Sequence, residues 1–455
     1  MSKEETMENR PEGVPKAAKQ SGEIKAQGVG WARWEWVEPE VWTERMLTAL
    51  EEGVKGGKWF SLIDKVRKLG NLRKAFGRVK ANGGAAGTDH QTVEMFERDL
   101  EKNLEEIAGS LREGRYKPKA IKRVWIPKAG SREKRPLGIP TVRDRVVQTA
   151  LRHVIEPIFE AEFAEHSYGF RPGRGCKDAL RRVDNLLKAG QAWVVDADLR
   201  SYFDTIPHRR LMERVQDKVA DGKVLELINS FLTQGVMEGM KTWIPEQGSP
   251  QGAVISPLLS NLYLDPLDHE MAKAGYEMVR YADDLVIMCG SKTEAEEALQ
   301  RLQEWTTEVG LSLHPEKTRI VAYGQGEGFE FLGYHFIEGK KYPRRKSLKK
   351  IKDTVRSKTG RNNGHSLKQI ISELNRSLRG WFEYFKHSNN YTFKSLDGWI
   401  RMRLRSILRR RHKGKGRGRG RDHQRWTNTF FIEQGLFSLA QARAVISQSS
   451  KEVTR

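Results

Sequence analysis

The stretch VRYADDLVIMC, residues 279–289, places two adjacent acids, Asp283 and Asp284, between two apolar runs that are typical of β-strands. A strand, a short turn and a second strand predict a β-hairpin whose turn carries both carboxylates. Like charges this close raise each other's pKa unless a cation lies nearby. Because Mg²⁺ prefers carboxylate oxygens, a divalent ion would remove that cost. The stretch therefore predicts either a plain polar turn or a metal-binding hairpin. Acids elsewhere in the sequence are needed to choose between the two.

A second strand-like segment supplies further acids. The segment VVDADLRSYFDTI, residues 194–206, begins with two valines and then carries Asp196, Asp198 and Asp204. Because side chains alternate along a strand, Asp196 and Asp198 lie on the same face, and position alone does not choose between them. Acids from two neighbouring strands favour a two-metal site. Such a site activates a 3′ hydroxyl and stabilises pyrophosphate, which is nucleotidyl transfer.

The composition narrows the class of protein. The chain has 455 residues, of which 38% are hydrophobic and 31% charged, which predicts roughly two to four folded units. Its two cysteines, Cys176 and Cys289, exclude a disulfide framework or a Cys-pair zinc site. The N-terminus has no apolar signal-peptide core, and no apolar run approaches the ~20 residues of a membrane helix. A cytoplasmic protein without a membrane partner is expected.

Positive charge is concentrated near the C-terminus. The net charge is +22, and residues 340–421 hold 27 Lys and Arg against 4 Asp and Glu, so the remainder is close to neutral. Solubilising faces mix charges of both signs, whereas this segment does not. A concentrated positive field indicates a polyanionic partner.

The apolar spacing predicts an α+β body with an antiparallel sheet. One helix is predicted over 59–84 and another over 92–114, and strands follow on both sides of a basic turn before residue 144. Four tryptophans within 31–42 favour a small helix docked on the body over a base-stacking platform. Residues 1–30 are expected to be disordered.

The C-terminal part has a different pattern. Residues 347–411 read as basic helices, and 412–422 alternate glycine with cations, which predicts a flexible linker. Trp381, Phe382, Tyr384 and Phe385 either stack on bases or form a helical core. Their spacing favours the core.

An ordered series of motifs resembles the reverse transcriptases of group II introns. The matching segments are RPLGIPTVRDRVVQ (135–148) for the fingers, HSYGFRPGRG (166–175) for the segment after it, DADLRSYFDTIPH (196–208) for palm motif A, QGSPQGAVISPLLSNLYLDPLD (247–268) for motif B, YADD (281–284) for the metal signature, LSLHPEKT (311–318) for motif D and FEFLGYHF (329–336) for the primer grip. Residues 378–411 resemble the helical thumb, or maturase, domain. Order and spacing both fit that family.

The resemblance implies a right-hand polymerase, with fingers, a palm carrying an antiparallel sheet, and an α-helical thumb. The implied units are 1–58, a partly disordered N-terminal segment; 59–340, fingers and palm with an N-terminal extension; 341–411, the thumb; and 412–455, a flexible basic linker with a short module. No cysteine follows Cys289, so the Cys- and His-bearing endonuclease of many relatives is not expected. The resemblance is to endonuclease-lacking bacterial forms such as the IIC class.

The resemblance also implies roles for individual residues. They are Asp198, Asp283 and Asp284 for catalysis and for two Mg²⁺ ions, with Mn²⁺ as a substitute; Phe203, Gln251, Gly252 and Lys317 around the nucleotide; and Arg135 and Lys134 at the triphosphate. Phe203 matches the bulky gate that rejects a 2′ hydroxyl, so dNTPs are the expected substrates. Lys317 matches the lysine that protonates or neutralises pyrophosphate. Lys128 and Arg143 are rivals for the triphosphate, and the whole basic group could instead contact template phosphates.

The implied function is RNA-directed DNA synthesis combined with splicing of the intron RNA. The residues expected to bind RNA are Arg344, Arg345, Lys346, Lys349, Lys350, Arg409, Arg410 and Arg411. The implied partners are group II intron RNA, an RNA template with a DNA primer, and target DNA, where the protein would associate with the nucleoid. Two alternatives remain: a domesticated reverse transcriptase serving defence, CRISPR adaptation or repair, and an RNA-binding splicing cofactor without polymerase activity.

Overall fold

The computed structural model describes residues 31–127 and 134–452. Residues 1–30, for which the sequence predicts disorder, lie outside this range. Lys128, the rival candidate for the triphosphate contact, also lies outside it. The first described part is helical. In chain order, its elements are a first 3₁₀ turn (Trp31–Trp34), α1 (Glu44–Glu52), a second 3₁₀ turn (Lys55–Gly57), α2 (Ile63–Val66), α3 (Leu69–Asn82), α4 (Val93–Arg98) and α5 (Leu100–Arg112).

The sequence predicts one continuous helix over 59–84 and another over 92–114. Both predictions are wrong about continuity, because each segment forms two helices with one break between them. Between α2 and α3, the Asn71 side chain donates to Lys65 O at 3.0 Å, which replaces a bond that a continuing helix would make. Between α4 and α5, the Asn103 side chain donates to Phe96 O at 2.9 Å in the same way. Side-chain amides therefore take over the open carbonyls at both breaks.

The tryptophan-rich segment docks on the body, as predicted. Trp34 and Trp42 are buried, and the Trp42 indole donates to the carbonyl of His153 at 2.9 Å. These rings belong to the largest hydrophobic core of the protein.

The central part of the chain alternates helices with short strands. In order, these elements are β1 (Ile121–Pro127), β2 (Lys134–Ile139), α6 (Val142–Glu160), α7 (Cys176–Lys188), β3 (Trp193–Asp198), α8 (Tyr202–Thr205), α9 (His208–Gln216), α10 (Gly222–Leu232), β4 (Val236–Glu238), β5 (Lys241–Trp243), α11 (Ser256–Lys273), β6 (Glu277–Tyr281), β7 (Asp284–Cys289), α12 (Lys292–Glu308), β8 (Arg319–Ala322), β9 (Gly328–Phe331), β10 (Tyr334–Ile337) and β11 (Lys340–Pro343). The fingers sheet has the order β2-β1-β4-β5, and a small sheet has the order β11-β10-β9.

The palm sheet, with the order β6-β7-β3-β8, is antiparallel throughout and is buried on both faces. Val195 and Ala197 pack into the largest core, whereas Val194 and Val286 face a second cluster that includes β9 and β10. By strand alternation, Asp198 shares the face of Val194. The predicted antiparallel palm sheet within an α+β fold is confirmed.

The last part is helical and forms its own core. Its helices are α13 (Arg345–Lys358), α14 (Leu367–Phe385), α15 (Asn390–Arg411), α16 (Arg421–Arg425), α17 (Asn428–Glu433) and α18 (Leu439–Glu452). Phe382 and Phe385 are buried, which confirms a core position for them rather than a stacking platform. No helix in the described ranges is both long and apolar enough to cross a membrane. The unit boundaries predicted from the sequence stay a prediction.

Candidate active site

Three acidic residues lie at one end of the palm sheet. Asp198 ends β3 and Asp284 begins β7, and these two residues are directly paired across the antiparallel strands. Asp283 directly precedes Asp284, in the two-residue turn that joins β6 to β7. The hairpin predicted over 279–289 is therefore present, and it brings its acids to the end of the strand that carries Asp198. Paired residues of an antiparallel ladder project to the same face.

The electrostatics of this cluster are dominated by burial and by repulsion between acids. Burial, followed by repulsion from Asp196 and Asp283, raises the pKa of Asp284 to about 7. Burial also raises the pKa of Asp283, with a smaller contribution from Asp198. The pKa of Asp196 rises to about 6 for the same first reason, although Arg319 opposes the rise. The cluster thus holds an excess of negative charge that favours a cation.

Asp198 already has a cationic partner. The Lys317 ammonium lies 2.6 Å from Asp198 Oδ2. In residues 31–127 and 134–452, no group of three or more His, Cys, Asp or Glu side chains is arranged closely enough to hold a metal ion. The donor set still fits a hard divalent cation, because its members are carboxylates and two of them have raised pKa values. The predicted metal role of Asp198, Asp283 and Asp284 stays a prediction, and Lys317 competes for the first of them.

Phe203 and Gln251 are brought together in one cavity of about 220 Å³ beside the fingers sheet. Phe203 is fixed because the amide of Ser249 donates to its carbonyl at 2.7 Å. Gly248 has a φ of +91°, and a Cβ there would lie 2.9 Å from the carbonyl oxygens of Phe203 and Asp204. A glycine is therefore needed for the loop before Gln251 to approach helix α8.

Gly252 lies where the palm meets the fingers. Its φ is +107°, and a Cβ there would lie 2.4 Å from Gly138 O and 2.9 Å from Leu137 Cδ1. The amide of Gly138 also donates to Gln251 O at 2.6 Å. Gly252 lines a separate cavity of about 440 Å³. Three arginines also line this cavity, and the sequence did not predict them as site residues: Arg78, Arg145 and Arg152. They lie on two different helices, so no local pattern reveals that they converge.

The predicted triphosphate residues lie elsewhere. Lys134 and Arg135 are exposed at the start of β2, opposite Pro127 and Ile126. Neither lines the cavity that holds Phe203. The rival Arg143 lies 3.6 Å from Glu106 in an ion pair. The structure therefore does not join this group to Phe203 and Gln251.

A groove of about 570 Å³ lies between Asp284 and the basic helix α13. It is lined by Asp284 and Gly333 on the palm side and by Arg344 and Lys350 on the thumb side. The Arg344 Nε atom is buried without a hydrogen-bond partner, so this donor is available to a ligand. The other three predicted RNA contacts on α13 are exposed: Arg345, Lys346 and Lys349.

The three arginines at the end of α15 differ in whether they bond to other parts of the protein. Arg409 pairs with Asp422, and its Nε donates to Lys415 O at 2.8 Å. Arg411 donates to the carbonyls of Asn363 and His365. Arg410 is exposed. Two of the predicted RNA contacts are therefore used within the protein.

Sequence reasoning missed the role of the loop that follows. The sequence predicts a flexible linker over 412–422. This segment contains the cation loop, residues 413–421, which is fastened at both ends. Arg409 contacts Lys415 and Asp422, and the amide of Arg419 donates to Asp422 at 2.9 Å. Five cations on this loop are exposed: Lys413, Lys415, Arg417, Arg419 and Arg421. Their regular spacing is visible in the sequence, but the fastening is not.

Two protein families match the chain. The reverse transcriptase (RNA-dependent DNA polymerase) family matches residues 126–336, and the group II intron maturase-specific domain matches residues 348–426. The first match contains the three carboxylates together with Phe203 and Gln251. The second contains most of the thumb and the cation loop.

Two proteins of known name and one solved structure are similar to this chain. Protein YkfC of Escherichia coli (strain K12) is 32% identical over 324 residues, which are 63% of this chain and 84% of YkfC. The group II intron-encoded protein LtrA of Lactococcus lactis subsp. cremoris is 37% identical over 196 residues, 43% of this chain and only 32% of LtrA. A solved chain of a partial Cas6-RT-Cas1–Cas2 complex is 26% identical, with a TM-score of 0.36 over 55% of this chain and 41% of that chain. The family assignment rests on the sequence matches.

Proposed function

The chain belongs to the family of group II intron-encoded reverse transcriptases that carry a maturase-specific domain, and we propose that it is itself an RNA-directed DNA polymerase that also binds intron RNA to assist splicing. The observation that carries the proposal is the pairing of Asp198 with Asp284 beside the groove to helix α13. Asp284 at one end of the groove and cations along it suit a primer–template whose 3′ end reaches the acid cluster. The proposed units are 59–340 for polymerisation and 341–411 for the thumb.

The carboxylates of Asp198, Asp283 and Asp284 are the proposed ligands of two Mg²⁺ ions, with Mn²⁺ as a substitute. When bound, these ions lower the pKa of the primer 3′ hydroxyl and neutralise the leaving pyrophosphate. Asp283 and Asp284 are half-buried, which strengthens their interaction with any cation. Lys317, held 2.6 Å from Asp198, has an ammonium close enough to the cluster to neutralise pyrophosphate.

Nucleotide selection is proposed to depend on Phe203 and Gln251. Both line the cavity beside the fingers, and backbone hydrogen bonds to the neighbouring loop fix the position of Phe203. An aromatic ring beneath the sugar would exclude a 2′ hydroxyl, so dNTPs are the proposed substrates. Lys134 and Arg135 are proposed to contact the triphosphate or the template phosphates when the substrates bind.

RNA binding is proposed for α13 and the end of the thumb. Exposed cations on α13 and on the cation loop would contact phosphates, which gives an affinity that falls with salt. A folded intron RNA would be recognised largely by shape. The proposed substrates and partners are group II intron RNA, an RNA template with a DNA primer, and target DNA.

Primer extension tests the polymerase proposal. Wild-type protein, Asp283→Asn and the control Asp217→Asn are incubated with an RNA template, an annealed DNA primer, dNTPs and Mg²⁺. Asp217 is an exposed acid remote from the cluster, 3.9 Å from Arg214. We expect template-length cDNA from wild type and Asp217→Asn, and a loss of at least ~100-fold in rate for Asp283→Asn, because a metal-binding carboxylate is removed.

RNA binding measured in parallel separates the two halves of the proposal. If wild-type protein binds intron RNA tightly and folds normally but makes no cDNA, the polymerase proposal is wrong and a splicing cofactor remains. If it makes cDNA but does not promote splicing of the intron RNA, the maturase half is wrong.

A further inference from the structure

The turn that carries Asp283 depends on an unusual backbone conformation. Ala282 has a φ of +59°, in the left-handed region that residues with a Cβ adopt infrequently. Asp283 and Asp284 follow it directly, so the direction of both carboxylates depends on Ala282 keeping this conformation. Something in the surroundings must stabilise it.

Arg280 holds this turn from inside the palm. Its guanidinium is 1% exposed, and Nη1 donates to Ala282 O and to Asn261 Oδ1, each at 3.0 Å. Its Nε donates to both oxygens of Asp268, at 2.8 and 3.0 Å. Because the ion pair with Asp268 fixes the plane of the guanidinium, the donor to Ala282 has one available direction.

Gly169 and Asn261 close the same arrangement from the other side. A Cβ on Gly169 would lie 2.3 Å from Ala282 N and 3.1 Å from Ala282 Cα, so the backbone of Gly169 packs directly on the turn. Asn261, on α11, donates to Gly169 O at 2.7 Å while it accepts from Arg280. The loop is also bonded to β6, because Tyr168 N donates to Arg280 O at 2.9 Å.

We propose that Arg280, Asn261 and Gly169 form a positioning assembly that holds Ala282 in its left-handed conformation and thereby aims Asp283 and Asp284. The reaction that they would serve rests on the proposed polymerase function. None of the three is proposed to touch the reacting atoms. The assembly gives a physical role to the HSYGF segment, and it joins three sequence motifs at one turn.

The alternative is that Arg280 only stabilises the fold. A buried ion pair is weak support for stability in itself, while breaking one by removing a partner is costly. A test must therefore distinguish a loss of protein stability from a change in the orientation of the Asp283 and Asp284 carboxylates. It also needs a measurement that does not depend on polymerase activity.

The main comparison is Arg280→Lys against Arg405→Lys. Arg405 is a matched control, because it is also buried and donates to a carbonyl, Trp426 O at 2.8 Å, and to an amide oxygen, Asn428 Oδ1 at 2.9 Å, far from the palm hairpin. Lysine keeps the charge in both cases but loses the fixed fork of donors. Both variants should therefore unfold at a lower temperature than the wild type.

Two measurements on metal-free protein then distinguish the roles. We expect amide hydrogen exchange in a peptide covering 280–285 to accelerate at least tenfold in Arg280→Lys and to be unchanged in Arg405→Lys. We also expect Mn²⁺ binding, followed by its electron paramagnetic resonance signal, to weaken about 10–100-fold in Arg280→Lys only, as for other residues that orient metal ligands.

A second variant covers the case in which Arg280→Lys does not fold. Gly169→Ala keeps the Arg280–Asp268 pair but pushes a methyl group against Ala282, and it should weaken Mn²⁺ binding in the same direction. Unchanged exchange and Mn²⁺ affinity in a folded Arg280→Lys or Gly169→Ala would overturn the positioning role. Weaker Mn²⁺ binding in a protein whose wild type makes no cDNA would support the assembly while removing the polymerase proposal.

Discussion

The Lys317 ammonium lies 2.6 Å from Asp198 Oδ2, at the residue expected to bind the first metal ion. The two residues are 119 positions apart in the chain. A lysine in this position neutralises the acid cluster when no other cation is present, and it competes with an ion that binds there.

Replacing Lys317 tests this competition. We expect Lys317→Met to lower the maximal rate of primer extension by about 10²-fold or more, as for loss of a general acid. We also expect the Mg²⁺ concentration for half-maximal rate to fall, because the competing ammonium is gone. The control is Lys292→Met, an exposed lysine on α12 that pairs with Glu296 at 3.4 Å. A rate loss accompanied by a higher Mg²⁺ requirement would contradict the competition.

The pH dependence of stability should report the half-buried acid Asp284. Burial and repulsion from Asp196 and Asp283 raise its pKa from 3.8 to about 7. Between these two pH values the folded protein keeps a proton that the unfolded chain has lost, so stability falls as the pH rises through this range. In a chelating buffer, the unfolding temperature of wild type should therefore fall relative to Asp284→Asn from pH 4 to pH 7, and level off above. Parallel curves for the two proteins would show that the pKa is not raised.

The proposed sugar gate can be opened by truncation. We expect Phe203→Ala to incorporate ribonucleotides more readily, with the preference for dNTPs over rNTPs reduced about 10–200-fold. Single-turnover incorporation of dATP and ATP opposite the same template base measures this ratio. Phe60→Ala, which removes a ring that is 63% exposed, is the control and should leave the ratio unchanged. Equal discrimination in all three proteins would exclude Phe203 as the gate.

Gly252 should tolerate no side chain. Its φ is +107°, and a Cβ added there would lie only 2.4 Å from Gly138 O. We therefore expect Gly252→Ala to destabilise the protein by more than about 1 kcal/mol and to raise KM for dNTP through Gln251. Gly109→Ala is the control, because a Cβ at that position would have nothing within 4 Å. That helical substitution should stabilise the protein by about 0.5–1 kcal/mol. The two unfolding free energies, measured by urea denaturation, should move in opposite directions.

Salt dependence tests the groove. Lys350 lines it and is exposed, so Lys350→Ala should reduce the slope of log affinity against log salt by about 0.7–0.9 for a primer–template. Lys102→Ala, an exposed lysine on α5, should leave the slope unchanged. Identical slopes for wild type and Lys350→Ala would exclude a phosphate contact at this lysine.

The sequence is most informative where structure is local. The hairpin over 277–289 follows from apolar runs on both sides of a short polar turn. The pairing of Asp198 with Asp284 does not follow from strand position, because Asp196 and Asp198 share one face of the same strand. The position of the tryptophan-rich segment could also be inferred, because clustered large rings need a surface to cover them.

Contacts between distant segments could not be inferred in this way. The breaks at Asn71 and Asn103 depend on amide side chains that reach back to carbonyls, whereas the apolar spacing runs through both breaks unchanged. The Arg280 side chain gives no local signal that it will be buried, since its partners Asp268 and Asn261 lie on another element. Charge counting likewise could not tell that Arg409 is used inside the protein while the cation loop remains exposed.

The fastening of the cation loop has a consequence for the entropy of binding. A glycine–cation segment that is free in solution must lose many conformations when it meets a phosphate chain, and that loss subtracts from affinity. Here Arg409 and Asp422 join the two ends of residues 413–421 before any nucleic acid arrives. Folding of the thumb has therefore already restricted the loop, so five cations can meet a phosphate backbone with much of the ordering complete.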